Sequence, residues 1–178
     1  EIGAKVAAKK RTGDKVPFAL QLQFGFFDKL VFRKIKNELG GKLEFLPCGG
    51  AMLKKEISEF FAAIGMPVIV GYGLTETTAT VTALPTKNYV YGSVGKALPG
   101  VEIKIGKDDE ILVKYGGVMK GYYKNPEETA NTFTEDGYFR TGDAGRLDEE
   151  GNLYITDRIK DLMKTSNGKY IAPQSIEI

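Results

Sequence analysis

Gly71-Tyr72-Gly73-Leu74-Thr75-Glu76 follows directly on the apolar run Pro67-Val68-Ile69-Val70. A short apolar run bounded by turn formers reads as a buried strand. The two glycines allow a sharp turn and a close approach to a ligand that a Cβ would bar. An aromatic ring stands between them, and a hydroxyl and a carboxylate follow. A planar base can stack on Tyr72, a phosphate can accept a hydrogen bond from Thr75, and a metal ion can bind Glu76. The same six residues also suit a glycine-rich turn that only joins two elements. Taken alone they leave both readings open.

Upstream, Phe26 to Leu39 places Phe27, Leu30, Val31, Ile35 and Leu39 on one helical face, and Gly40-Gly41 ends that helix. A helix end is expected within Ile2–Lys10, with a turn at Thr12-Gly13-Asp14. Leu43–Pro47 is a strand candidate, followed by Cys48-Gly49-Gly50-Ala51. A second amphipathic helix is expected to turn Leu53, Ile57, Phe60, Phe61 and Ile64 inward, with Gly65 at its end. Strand, helix and strand make a βαβ unit with a parallel pair. Ligands collect at the C-terminal ends of such strands, so the turns Gly49-Gly50 and Gly71–Gly73 are expected to face one crevice.

Composition sets bounds. The 178 residues suit one domain or two small ones, and 42% apolar with 27% charged residues is ordinary globular composition. A net charge of +2 argues against nucleic acid as a partner. The basic cluster Lys9-Lys10-Arg11 reads as solvated surface. The single cysteine, Cys48, allows no internal disulfide and suits a reducing compartment such as the cytoplasm. With no histidine, neither a Ser-His-Asp triad nor a histidine metal site can form within the chain. No apolar run approaches membrane-spanning length. The chain starts at Glu1 without methionine and stops at Ile178 just after a patterned segment, so it is expected to be an internal piece of a longer protein.

Downstream of Leu84 the pattern changes from helical to alternating. Val101, Ile103 and Ile105 alternate with polar residues, Gly106–Asp109 turns, and Glu110–Lys114 runs back as a hairpin. Asn125-Pro126-Glu127-Glu128 is a helix start with cap, proline and acids in place. Tyr138–Leu147 and Asn152–Thr156 flank the turn Asp148-Glu149-Glu150-Gly151 as a second hairpin. Within Tyr138-Phe139-Arg140-Thr141-Gly142-Asp143, Gly142 lets the strand bend and Asp143 can accept from two vicinal hydroxyls. A plain turn aspartate is the simpler reading. Asp157 to Lys164 holds five charges in eight residues. That suits a solvated helix start, or an Arg158 that contacts phosphate or ribose, with Lys160 and Lys164 one helical turn apart.

The ordered set Gly-Gly-Ala, Gly-Tyr-Gly-Leu-Thr-Glu, Tyr-Phe-Arg-Thr-Gly-Asp and Asp-Arg-Ile-Lys-Asp resembles the adenylate-forming enzymes, and Gly116–Thr132 resembles their barrel segment. The resemblance spans residues 40–178. The helix before Gly-Gly-Lys-Leu and the Asp-Arg-Ile-Lys-Asp motif are most similar to the long-chain fatty acid–CoA ligase branch. It implies an α/β fold: a βαβ-containing part of the large adenylate-forming domain plus a small antiparallel β-barrel-like subdomain. Residues 1–85 would close the α/β nucleotide-binding subdomain, 86–156 form the antiparallel subdomain, and 157–178 hold the hinge and the start of a C-terminal domain. The implied reaction is ATP-dependent acyl-adenylate formation, then thioester formation with CoA, with Mg²⁺ as cofactor. Gly49, Gly50 and Ala51 would line the adenine and acyl pocket, Tyr72 would stack on adenine, and Gly71, Gly73 and Leu74 would belong to the same nucleotide site. Thr75 would contact the α-phosphate and Glu76 hold the metal. Asp143 and Arg158 would grip the ribose, Lys160 would be the hinge, and Lys164 would enter the site in the second half-reaction.

Two family features find no counterpart here: a Ser/Thr/Gly-rich phosphate loop and the catalytic lysine of the C-terminal domain. The chain alone is therefore expected to be inactive. Met52 stands where relatives often have proline, and Asp157 precedes the arginine where many have glycine. The resemblance implies the small-molecule partners fatty acid, ATP and CoA, with peripheral membrane contact because long-chain acids partition into bilayers. Two other readings stay open: an adenylating enzyme for another carboxylic or amino acid, and a non-catalytic nucleotide-binding module.

Overall fold

The computed structural model describes residues 1–159 in full and the backbone of 163–164 and 170–171. The chain folds as two compact units, Glu1–Gly71 with Leu84–Gly92, and Tyr72–Ala83 with Ser93–Ile178.

In the first unit, α1 (Ile2–Thr12) ends where Gly13 turns left-handed. The basic last turn of α1 faces the negative end of the helix dipole, which favours cations there. Arg11 is not simply solvated: its guanidinium donates to the Tyr89 carbonyl at 2.8 Å and lies over the Tyr91 ring. The expected single helix to Leu39 is three pieces: α2 (Phe18–Phe27), a π-helical turn (Asp28–Phe32) and α3 (Arg33–Glu38). The wide turn rotates the apolar stripe out of register with a straight helix. Phe27, Leu30, Val31 and Leu39 are exposed, and Phe18 is 75% exposed.

β1 (Leu46–Cys48) starts three residues later than expected and pairs in parallel with β2 (Val68–Leu74), Leu46 opposite Val68 and Cys48 opposite Val70. α4 (Lys55–Ala63) connects them, completing the βαβ unit. Its inward face differs from the expected one. Ser58 and Ala62 are buried, Ile64 beyond the helix is buried, and Ile57 and Phe60 face solvent. Small residues four apart let α1 pack closely against α4, with Gly3 against Ala63. The buried apolar residues here include Val6, Ile64, Met66, Val68, Val70 and Leu84, each fully buried aliphatic side chain contributing roughly 2 kcal/mol.

In the second unit β3 (Ala79–Ala83) pairs antiparallel with β4 (Lys96–Ala97). β5 (Glu102–Ile105), β6 (Glu110–Lys114), β7 (Phe139–Leu147) and β8 (Leu153–Arg158) form one antiparallel sheet in sequence order. Both expected hairpins are present. Irregular registers fall between Glu110 and Leu112 and between Ala144 and Gly145, the kind of interruption that bends a sheet. α5 (Pro126–Thr132) is capped by the Asn125 side chain, which accepts from the Glu128 N–H at 3.2 Å. Tyr72, Val81, Ile111, Val113 and Leu153 make the core. β9 (Met163–Lys164) and β10 (Tyr170–Ile171) pair antiparallel.

Candidate functional site

Gly71 to Leu74 do not turn; they extend β2, and neither Gly71 nor Gly73 has positive φ. The chain turns at Thr75–Thr77, a single 3₁₀ turn, and the left-handed residues are Thr78 (φ 46) and Ala79 (φ 69). Gly73 is needed for a different reason. A Cβ there would lie 1.6 Å from the Ala79 carbonyl oxygen, so the close approach it permits is to its own chain. Thr77, fully buried, locks the turn: its hydroxyl accepts from the Leu74 N–H at 2.8 Å and lies 3.0 Å from the Leu74 carbonyl.

That turn delivers Thr75 and Glu76 to a cleft of about 680 Å³ whose walls include Gly73, Leu74, Tyr122, Thr141, Asp143 and Arg158. The size suits a cofactor-scale ligand. Asp143, nearly buried, accepts from the Tyr72 hydroxyl at 2.7 Å. Arg158 is directly opposite Asp143 across β7 and β8, its Nε 3.4 Å from Asp143 Oδ1. The charged stretch from Asp157 therefore opens as strand, not as a helix start, and the strand register brings the two side chains together. Gly142 has φ 71 and bends β7 just before Asp143, as expected.

Burial pushes the Asp143 carboxyl above the usual range, against the pull of the Tyr72 hydroxyl and the Arg158 charge; nearby Glu76 adds to the push. Burial and the adjacent Asp143 push the Tyr72 phenol well up, so it remains a donor. Tyr72 is 7% exposed and packs in the core, and its hydroxyl rather than its ring face is engaged by a site residue.

Sequence reasoning gave no role to Tyr122, Thr141 or Glu110. Tyr122 donates to Glu76 Oε1 at 3.0 Å. Thr141 donates to the Ile111 carbonyl at 2.7 Å and accepts from the Asp143 N–H at 3.1 Å, fixing the backbone at Asp143. Glu110 accepts from the Gly142 N–H at 3.2 Å and pairs with Arg140 at 3.1 Å. Thr141 lay inside a motif already singled out and Tyr122 inside the Gly116–Thr132 segment, though neither was given a role; Glu110 carried no signal beyond its hairpin strand.

In the first unit, a Cβ on Gly49 would lie 3.2 Å from the Gly71 carbonyl oxygen. Gly50 takes a left-handed conformation and Ala51 is exposed. Lys160 lies outside the described residues. Lys164 is described only as backbone in β9.

Magnesium takes hard oxygen ligands, commonly one or two carboxylates with substrate phosphates completing the shell. Among the described residues no cluster of three or more acidic, cysteine or histidine groups could hold a metal alone. Glu76, one carboxylate beside a hydroxyl in an open cleft, fits the case in which phosphates supply the rest.

Fold and site together define an α/β protein with an open cleft, where a buried carboxylate meets an exposed arginine beside a carboxylate-bearing turn. The chain belongs to the AMP-binding enzyme family, whose profile matches residues 8–123. A long-chain-fatty-acid–CoA ligase of Mycobacterium bovis is 40% identical over 158 residues, 89% of this chain and 26% of the relative. Long-chain-fatty-acid–CoA ligase 3 of Saccharomyces cerevisiae is 40% identical over 164 residues, 86% of this chain and 24% of the relative. Among solved structures, the O-succinylbenzoate coenzyme A synthetase of Bacillus subtilis with ATP and magnesium is similar at a TM-score of 0.69 and 32% identity. That likeness covers 82% of this chain and 34% of the other. ATP-bound MatB of Rhodopseudomonas palustris is similar at 0.69 and 37% identity, over 79% of this chain and 30% of the other. The chain thus spans about a quarter of the curated relatives it matches. Among the described residues no helix is long and apolar enough to cross a membrane.

Proposed function

We propose that the chain is part of an ATP-dependent long-chain fatty acid–CoA ligase that works through an acyl-adenylate and then a thioester with CoA. The observation that carries this is the Tyr72–Asp143–Arg158 arrangement in the unit whose cleft also receives Thr75 and Glu76. A nearly buried carboxylate beside a guanidinium suits vicinal ribose hydroxyls, and a hydroxyl and a carboxylate nearby suit an α-phosphate and a metal.

In this reading Asp143 and Arg158 hold the ribose from two sides, and Thr75 donates to the α-phosphate. Glu76 holds Mg²⁺, which when bound screens the repulsion between the attacking carboxylate and the phosphate. The adenine lies along Gly71, Tyr72, Gly73 and Leu74, the Tyr72 hydroxyl joining base side and ribose side through Asp143. Gly49, Gly50 and Ala51 line the adenine and acyl pocket. Residues 1–85 close the α/β nucleotide subdomain and 86–156 form the antiparallel subdomain. Within 157–178, Lys160 is the hinge and Lys164 enters for thioester formation. The chain by itself is inactive, and the whole protein works in the cytoplasm with peripheral contact to a membrane that holds its acid substrate.

The test assays the full-length protein that carries this chain against a panel of acids by ATP–pyrophosphate exchange and CoA-ester formation. Palmitate is expected to be activated; activation of amino acids without palmitate overturns the assignment. A second reading, ligation of a different carboxylic acid to CoA, draws on the similar solved structure named for O-succinylbenzoate. The same panel separates the two.

A further inference from the structure

We infer that Tyr122 is a positioning residue for Glu76, holding its carboxylate in the orientation in which it meets a phosphate-bound divalent cation. This rests on the reading of Glu76 as the metal carboxylate. Glu76 sits on the Thr75–Thr77 turn, and a free glutamate there would sample several rotamers about three torsions. The Tyr122 hydroxyl reaches Oε1 at 3.0 Å and removes that freedom. One neutral donor leaves Oε2 and the second lone pair of Oε1 open for a cation, and it does not cancel the carboxylate charge.

Tyr122 is itself anchored. Its N–H donates to Thr129 Oγ1 at 2.9 Å, and that hydroxyl donates to the Asn125 carbonyl at 2.8 Å, within the first turn of α5. The segment around it also straps down the turn that carries Glu76. The Met119 N–H donates to the Glu76 carbonyl at 2.7 Å, Thr78 donates to the Gly117 carbonyl at 2.6 Å, and Tyr115 donates to the Thr77 carbonyl. Backbone and side chain of Glu76 are thus both fixed from residues 115–122. Adjacent Tyr123, 88% exposed and turned away to Lys124, makes no such bond.

The test is calorimetric titration of the chain with ATP, once in excess Mg²⁺ and once in EDTA, and the quantity read is the affinity gained from the metal. Tyr122→Phe is expected to cut that gain about five-fold while leaving the EDTA affinity and the melting temperature unchanged. Glu76→Gln should remove the gain, and Tyr123→Phe should leave it intact. A full gain in Tyr122→Phe with loss in Glu76→Gln overturns the positioning role alone. Equal loss of affinity with and without metal in Tyr122→Phe makes the tyrosine structural and also overturns it. No metal gain in the unsubstituted chain, or an unchanged gain in Glu76→Gln, overturns the metal reading and this inference with it.

Discussion

Two aspartates on the β7–β8 hairpin are pushed in opposite directions, and each sets a pH dependence of opposite sign. Burial raises the Asp143 carboxyl, so the folded state favours its protonated form. Its contribution to stability is complete below the ordinary aspartate value of about 4 and is lost as pH rises through the raised folded value. Asp143→Asn keeps an acceptor for Tyr72 and removes the desolvated charge. It is expected to melt a few degrees higher than the unsubstituted chain at pH 7, a difference that vanishes near pH 3. Equal melting at both pH values would contradict the sign. The same change should weaken ribose binding, a trade of stability for function. Asp148 is the reverse: the Asn152 side chain and then its backbone N–H hold the carboxyl below the usual range. Its contribution is present above the ordinary value and lost as pH falls through the depressed one. Gly73→Ala acts through sterics instead. The added carbon meets the Ala79 carbonyl, and overpacking of that kind costs about 3 kcal/mol, read as a fall in the denaturation midpoint.

At the scale of elements, α5 shows how a short helix controls a site it does not itself occupy with catalytic groups. Its seven residues are too few to be stable alone, so the Asn125 cap counts for much. Asn125→Ala is expected to cost about 1 kcal/mol, a drop in melting temperature of about 2–4 °C, with Asn125→Asp restoring most of it. Because Tyr122 hangs on Thr129 of the same first turn, the alanine variant should also lose part of the metal-dependent gain in ATP affinity. Calorimetry on the same samples checks it, and a melting shift with an undiminished gain would separate the cap from the site. The hinge proposed at Lys160 belongs to this scale as well. In the full-length protein Lys160→Pro is expected to spare adenylation and impair thioester formation by at least ten-fold, a factor worth about 1.4 kcal/mol of barrier. Equal loss of both half-reactions argues against the hinge.

At the scale of the whole molecule, period and punctuation made much of the fold legible. The hairpins at Gly106–Asp109 and Asp148–Gly151, the α5 cap and the parallel β1–β2 pair all follow from strand alternation and turn chemistry that act over a few residues. What misread were features set by distant partners. Gly73 reads as a turn former because its real constraint, the Ala79 carbonyl, comes from the return of the chain. Asp143 and Arg158 were both singled out in the sequence, but that they meet as a pair is set by the register of β7 and β8. The inward face of α4 was misjudged because Ser58 and Ala62, not the bulkier Ile57 and Phe60, are the buried ones, and Gly3 of α1 comes up against Ala63. The same effect leaves much apolar surface on the first unit. Phe18, Leu22 and Phe26 recur every fourth residue along α2 and all are exposed, a stripe on one helical face. A stripe of this kind binds apolar dyes and drives association in water. The chain is expected to enhance the fluorescence of an anilinonaphthalene sulfonate dye and to self-associate as its concentration rises. Replacing all three residues with serine should cut the dye signal by about half, since other exposed apolar residues remain. The melting temperature should stay within a few degrees, because solvent-facing side chains contribute little to the folded state. Sedimentation velocity and thermal melts on the two chains check both. A large fall in melting temperature, or an unchanged dye signal, would mean that the stripe is covered rather than open.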